Sequence, residues 1–116
     1  MKYYKEELLR KLSVSDWDLV ARDHDTEWWA EEIWTIKSQR QAWGLEIYIY
    51  FLVDPQYDGN DKSSAVWQVT ADLDKPLQHR YAPEGFSSLY LRKGSFKKNI
   101  EEFVKEVNHV RYVKNT

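Results

Sequence analysis

The sequence predicts an α+β fold: a two-layer sandwich with an antiparallel meander sheet of four to five strands and N- and C-terminal helices packed on one face. Three observations predict it. Apolar residues recur with a 3.6-residue period only near the two ends of the chain, period-2 alternation fills the middle, and the alternating stretches are joined by short links. Short links favour antiparallel neighbours, because a parallel pair needs a crossover of roughly a dozen residues or more. Two amphipathic helices must bury their stripes, and one face of the sheet is the place available to them.

The elements follow in order. Tyr3–Leu12 reads as a helix, with Tyr4, Leu8 and Leu12 on one face. Glu6 and Glu7 sit early in it and Arg10 and Lys11 late, as the helix dipole prefers. Asp16–Asp23 alternates, with Trp17, Leu19 and Ala21 on one side and Asp18, Val20 and Arg22 on the other. Asp23–Glu27 is a polar turn, Trp28–Ser38 the second strand and Gln39–Trp43 its connection. Gly44–Val53 is the clearest strand, β-branched and aromatic throughout, and Asp54-Pro55 stops it. Gln56–Ser63 is a turn-rich loop and Ser64–Leu73 the fourth strand. Leu77–Gly85 reads as irregular and Ser87–Leu91 as a short edge strand. Ser95 then caps a last helix whose stripe is Phe96, Ile100, Phe103, Val104 and Val107, and a basic, fraying tail is expected after His109.

A chain of 116 residues is expected to form one domain, 1–116. At that size roughly 65% of the unfolded surface is buried, enough for a core without staples. Cysteine is absent, which excludes disulfides and thiolate metal sites. No apolar run reaches the roughly 20 residues of a membrane span, and the charged N-terminus lacks the apolar core of a signal peptide, so a soluble cytoplasmic protein is expected. The net charge of −2 implies no partner, and a mildly acidic chain is unlike most general nucleic-acid binders. Residues 1–58 carry 7 Lys and Arg against 12 Asp and Glu, residues 59–116 carry 10 against 7, and the two parts interleave in the expected fold.

Aromatic residues are in excess where the sheet begins. Trp28, Trp29, Trp34, Trp43, Tyr48, Tyr50 and Phe51 fall within 24 positions. By alternation the core face holds Trp17, Leu19, Trp34, Ile36, Ile47, Ile49, Phe51, Trp67 and Val69, with Trp28 beside them. Glu32 is the exception on that face. A carboxylate there is costly unless paired, so a bulge or an Arg or Lys partner is expected. The other face carries Trp29, Ile33, Tyr48, Tyr50, Leu52, Val66 and Val20 among charged residues. Two arrangements of it are open. Exposed, it is an apolar patch of the kind that marks an interaction site, with Trp29, Ile33, Tyr48, Tyr50 and Leu52 as partner-binding residues. Alternatively the loop Leu77–Tyr90 folds back over it, bringing Leu77, Tyr81 and Phe86 to make a second small core.

The residues that carry chemistry are sparse. His24 stands among Asp23, Asp25 and Glu27, where the ligand types suit a metal, but neighbours on one turn rarely converge on one ion, and a solvated turn is the plainer reading. Asp54…Asp58-Gly59-Asn60-Asp61 resembles a calcium loop in composition only and lacks the terminal bidentate Glu. Glu31 and Glu32, adjacent on a strand, are expected to face opposite ways and so not to flank one bond. Nucleophile-elbow and phosphate-cradling motifs are absent, and neither a metal nor a cofactor is expected. The sharpest charge feature is Arg92, Lys93, Lys97 and Lys98 around a helix N-terminus, where cations oppose the dipole. A bound anion would relieve this, and so would Lys97–Glu101 and Lys98–Glu102 pairs at i, i+4.

The segment Trp28-Trp29…Glu32-Ile33-Trp34…Ser38, with Phe51-Leu52-Val53-Asp54-Pro55-Gln56 and Val66-Trp67, resembles a group of small uncharacterised bacterial proteins over roughly residues 28–76. The resemblance implies a bacterial setting and no chemistry. Three functions stay open from the residues. The first is a non-enzymatic binding module using the aromatic sheet face for a protein partner or a second copy. The second is an anion or single-stranded nucleic-acid binder using the basic segment 92–98. The third is a small enzyme with a pocket between the sheet and loop 77–93, lined by His79, Arg80, Tyr81 and Glu84.

Overall fold

A computed structural model of the chain describes residues 4–74 and 82–114. Helix α1 spans Tyr4–Val14, and strands β1 to β5 span Trp17–Asp23, Ala30–Ser38, Glu46–Val53, Val66–Asp72 and Ser87–Tyr90. Helix α2 spans Phe96–Lys114, and a single 3-10 turn, Lys62–Ser64, precedes β4. The five strands form one antiparallel sheet in sequence order, β1-β2-β3-β4-β5. Both helices pack on one face: an α+β fold with the expected meander.

The helix-covered face is the main core. The α1 stripe Tyr4, Leu8 and Leu12 and the α2 stripe Ile100, Phe103, Val104, Val107 and Val110 enclose Trp17, Trp34, Ile36, Ile47, Ile49, Phe51 and Val69. Trp34 meets Phe51 edge-on with ring centroids 4.7 Å apart. Burying side chains of this size contributes roughly 1.5–3 kcal/mol each, so this face dominates stability.

Three bulges depart from simple alternation. Register slips at Val20 in β1, at Glu31 in β2 and at Trp67 in β4. Each extra residue moves what lies beyond it to the opposite face. In β4 the slip puts Val66 in the main core and Trp67 on the other face, the reverse of the expected assignment. In β2 it puts Ala30 on that other face. In β1 it aligns Arg22 with Trp34, so the guanidinium comes to the helix-covered face, 5.2 Å from the Trp34 ring. Trp28 precedes β2 in a turn and is 62% exposed rather than in the core.

The C-terminal region also differs from expectation. Helix α2 runs on to Lys114 instead of fraying after His109. Arg111, 2% exposed, donates from Nε to Ser38 Oγ at 2.8 Å and from Nη2 to the Asp16 carbonyl at 2.7 Å, and covers the Trp17 ring at 4.1 Å. A cation is favoured at a helix C-terminus, and here it clamps that end to the α1–β1 corner. Asp16 makes the corner itself with φ +65, a left-handed conformation that Asp tolerates better than most side chains.

The second sheet face is covered. Trp29, Ile33, Tyr48, Tyr50 and Leu52 are 3, 6, 8, 0 and 4% exposed and, with Ala30 and part of Trp67, form a separate small core. The β4–β5 connection approaches this face from both of its described ends. Tyr50 donates its hydroxyl to the Asp74 carbonyl at 2.9 Å. Gly85, at φ +67, lies so close that a Cβ would sit 2.4 Å from Thr70 Cγ2 and 2.3 Å from the Ala71 carbonyl oxygen. Only glycine suits that backbone and that approach. Leu77 and Tyr81, expected to take part, lie outside the described residues, and Phe86 packs against the main core instead.

Candidate functional site

Two charge-rich regions lie in the helical layer, and they differ in how fully their charges are satisfied. The first lies under the opening turn of α1. Glu32, 0% exposed, accepts from Lys5 Nζ at 2.8 Å and from Arg22 Nε and Nη2 at 2.8 and 3.1 Å, and His24 Nε2 stands 3.0 Å away. Both anticipated remedies for this carboxylate are therefore present, a bulge beside it and cationic partners around it. The bulge also changes Glu31. Its carboxylate meets the same Lys5 ammonium at 2.5 Å, so the adjacent glutamates converge on one cation rather than facing apart.

Burial alone would raise the Glu32 pKa, but the Arg22 hydrogen bonds, then Lys5, outweigh it and bring it down to about 2. The Trp34 indole N–H and the Tyr4 hydroxyl are buried near Glu32 without a hydrogen-bond partner among the described residues. Burial, reinforced by Glu31 and Glu32, pushes the Tyr4 hydroxyl well above its ordinary range. A carboxylate offers about four lone-pair sites; Lys5 and Arg22 occupy three with hydrogen bonds, and His24 stands 3.0 Å from Oε2. Such a group has no proton to give near neutrality and little basicity to take one. The cluster ties α1 to β1 and β2. It is a lock rather than a reaction centre.

The second region is open. Lys5 at the start of α1 reaches β2 near its beginning, and Arg111 near the end of α2 reaches Ser38 at the end of β2. The helices therefore run side by side in the same direction, bridged by Lys11 and Glu101 at 3.8 Å. A groove of about 1160 Å³ follows them, with Val14, Leu73, Phe86, Val104 and Val110 as its apolar lining. Val14 is 74% exposed and Leu73 36%. Arg10 and Lys11 line the α1 side; Glu101, Glu102, Lys105 and Glu106 line the α2 side, where Glu101 faces α1 and Glu102 and Glu106 also border a smaller cavity with Tyr90 and Lys93. Glu102 and Glu106, like charges at i, i+4, have no cationic partner among the described residues. Sequence patterning missed this groove. Val14 lies beyond the predicted helix end and Leu73 at a strand end, and nothing connects them until the helices are placed.

The expected site residues are dispersed. Trp29, Ile33, Tyr48, Tyr50 and Leu52 are brought together as an interior cluster, not as the exposed surface their partner role requires. The basic set does not converge on one point. Arg92 turns to Asp54 at 2.9 Å, Lys93 lies 5.0 Å from the Tyr90 ring centre, and Lys97 and Lys98 stay exposed at the α2 N-terminus. Ser95 caps that helix by accepting from the Lys98 backbone N–H at 3.4 Å. Glu101 turns to Lys11 instead, and among the described residues neither the expected Lys97–Glu101 pair nor the Lys98–Glu102 pair forms. Asp23 accepts from the Asp25 backbone at 2.9 Å, and Asp61 caps the 3-10 turn through Ser63 N at 3.1 Å, as turn residues do. Among the described residues no group of three or more metal-ligating side chains could hold an ion, and no helix is long and apolar enough to cross a membrane. Of the pocket expected against loop 77–93, His79, Arg80 and Tyr81 lie outside the described residues and Glu84 is exposed.

Fold and groove together define a five-stranded α+β meander protein with an open helical layer. No protein-family model, curated protein or solved structure matches the chain.

Proposed function

We propose that this chain is a non-enzymatic interaction module and that the groove between α1 and α2 is its contact surface. One observation carries the reading: the groove joins a strongly exposed valine, Val14, and a partly exposed Leu73 to Glu102 and Glu106, which have no cationic partner among the described residues. An exposed apolar lining edged by unsatisfied charge is the composition of a protein-binding surface. The aromatic sheet face supports the reading less, because its five candidate side chains are buried and present no surface. A bacterial setting, implied by the resemblance over residues 28–76, belongs to the same proposal.

Selection of peptides from a displayed random library on the immobilised protein tests it. Binders should emerge that lose affinity about tenfold or more on Val14→Asp or Leu73→Asp, with the melting temperature unchanged. Failure to select any binder sensitive to these substitutions would overturn the groove as a contact surface.

A second reading rests on Lys97 and Lys98, which remain exposed at the α2 N-terminus after Arg92 and Lys93 have found other partners. Two exposed lysines at a helix start support anion or single-stranded nucleic-acid binding of a weak, salt-sensitive kind.

A further inference from the structure

We infer that the partner this groove fits is a second copy of the same chain, an inference that rests on the groove being a contact surface. The groove's two walls are opposite in sign. Among the described residues the α1 wall carries Arg10 and Lys11, both within ion-pair reach of Glu7 on the same helix, a net of one positive charge. The α2 wall carries Glu101, Glu102, Lys105 and Glu106, a net of two negative charges. Within one chain Lys11 and Glu101 face each other across the gap at 3.8 Å, and Arg10 lies on Glu7 of its own helix. Glu102 and Glu106 are left without a cation among the described residues.

A copy turned by a two-fold axis brings its α1 wall against the first copy's α2 wall, and the reverse. Every contact in such an interface occurs twice, so self-complementary walls of opposite sign satisfy both halves at once. The exposed Val14 side chains, on the α1 walls, enter the shared interior in the same step. A partner of one dominant charge sign would meet a like-charged wall on one side, which complementary interfaces avoid. Arg10 of each copy then faces Glu102 and Glu106 of the other.

Charge reversal with mixing tests the pairing. Sedimentation equilibrium of the full chain should give a dimer. Arg10→Glu alone and Glu106→Lys alone should each weaken it about tenfold or more, since each sets like charges opposite one another twice. An equimolar mixture of the two variants restores both pairs, one as Glu with Lys and one as Arg with Glu. That mixture should recover the dimer to within a few fold of the native chain. A native chain that stays monomeric to its solubility limit overturns the inference, and so do variants that dimerise unchanged or a mixture that recovers nothing. The peptide selection separates the two levels: groove-dependent binders from a monomeric chain would retain the contact surface and remove the second copy.

Discussion

The cluster around Glu32 and the groove around Val14 are both rich in charge and both lie on the helix-covered side of the sheet, yet one is closed and the other open. Under α1 a buried carboxylate accepts three hydrogen bonds from Lys5 and Arg22, with His24 close beside it. Along the open groove Val14 lies in solvent, and Glu102 and Glu106 stand at i, i+4 with no ion-pair partner among the described residues. The difference teaches where to look for function in a chain without a catalytic motif. A saturated cluster has spent its interactions on the fold, whereas an unsatisfied surface retains interactions to give a partner.

The comparison breaks most readily at Glu32. Glu32→Ala strands Lys5 and Arg22 against a core face and should cost about 3 kcal/mol of stability, the lower end for a broken buried pair because both cations can reach water. Chemical denaturation measures this, and self-association of the folded fraction should be unchanged. A loss under about 1 kcal/mol would mean that the lock is not one.

Acid sharpens the same point. The Glu32 pKa is lowered, so its stabilisation is fully present above the unfolded value near 4.5 and is lost as pH falls toward about 2. The shift corresponds to about 3 kcal/mol across that window. Glu32→Gln should remove this part of the slope of stability against pH between about 4.5 and 2, leaving the contribution of the other carboxylates. A parallel pair of curves for the native chain and the variant would contradict the linkage.

The smallest expected effect lies outside both regions. Lys97→Ala with Lys98→Ala should leave stability within about 0.5 kcal/mol, as exposed substitutions do. At low salt it should reduce any retardation of single-stranded RNA, with the salt slope falling by about 1 to 2. If the native chain shows no retardation even at low salt, the anion reading is removed.

Much of the fold was legible because its elements are locally consistent. The stripes of Tyr4, Leu8 and Leu12 and of Ile100, Phe103 and Val107 repeat at helical spacing, and β3 is β-branched or aromatic everywhere except Glu46 and Leu52. The bulges were legible only where they relieve something costly. Glu32 announced its own remedy, because a lone carboxylate on a core face demands one. The bulges at Val20 and Trp67 left no such mark, so Arg22 and Trp67 were assigned to the wrong faces. Burial of the aromatic face was not legible either. Asp74 and Gly85 meet that face from far along the chain, and alternation along a strand says nothing of what lies over it. The groove was the least legible part, since it exists only in the relation between two helices. The basic end of α2 misled for a different reason. Arg111 reads as a solvated charge, but its guanidinium covers Trp17 and reaches two oxygen acceptors, an arrangement set by distant residues.

Sedimentation equilibrium of the native chain beside Val14→Asp tests most directly that the open groove, and not the saturated cluster, holds the function. The account predicts a native dimer whose dissociation constant rises about tenfold or more in the variant, at an unchanged melting temperature. Equal association of the two proteins, or a native chain that is monomeric at every concentration, would contradict it.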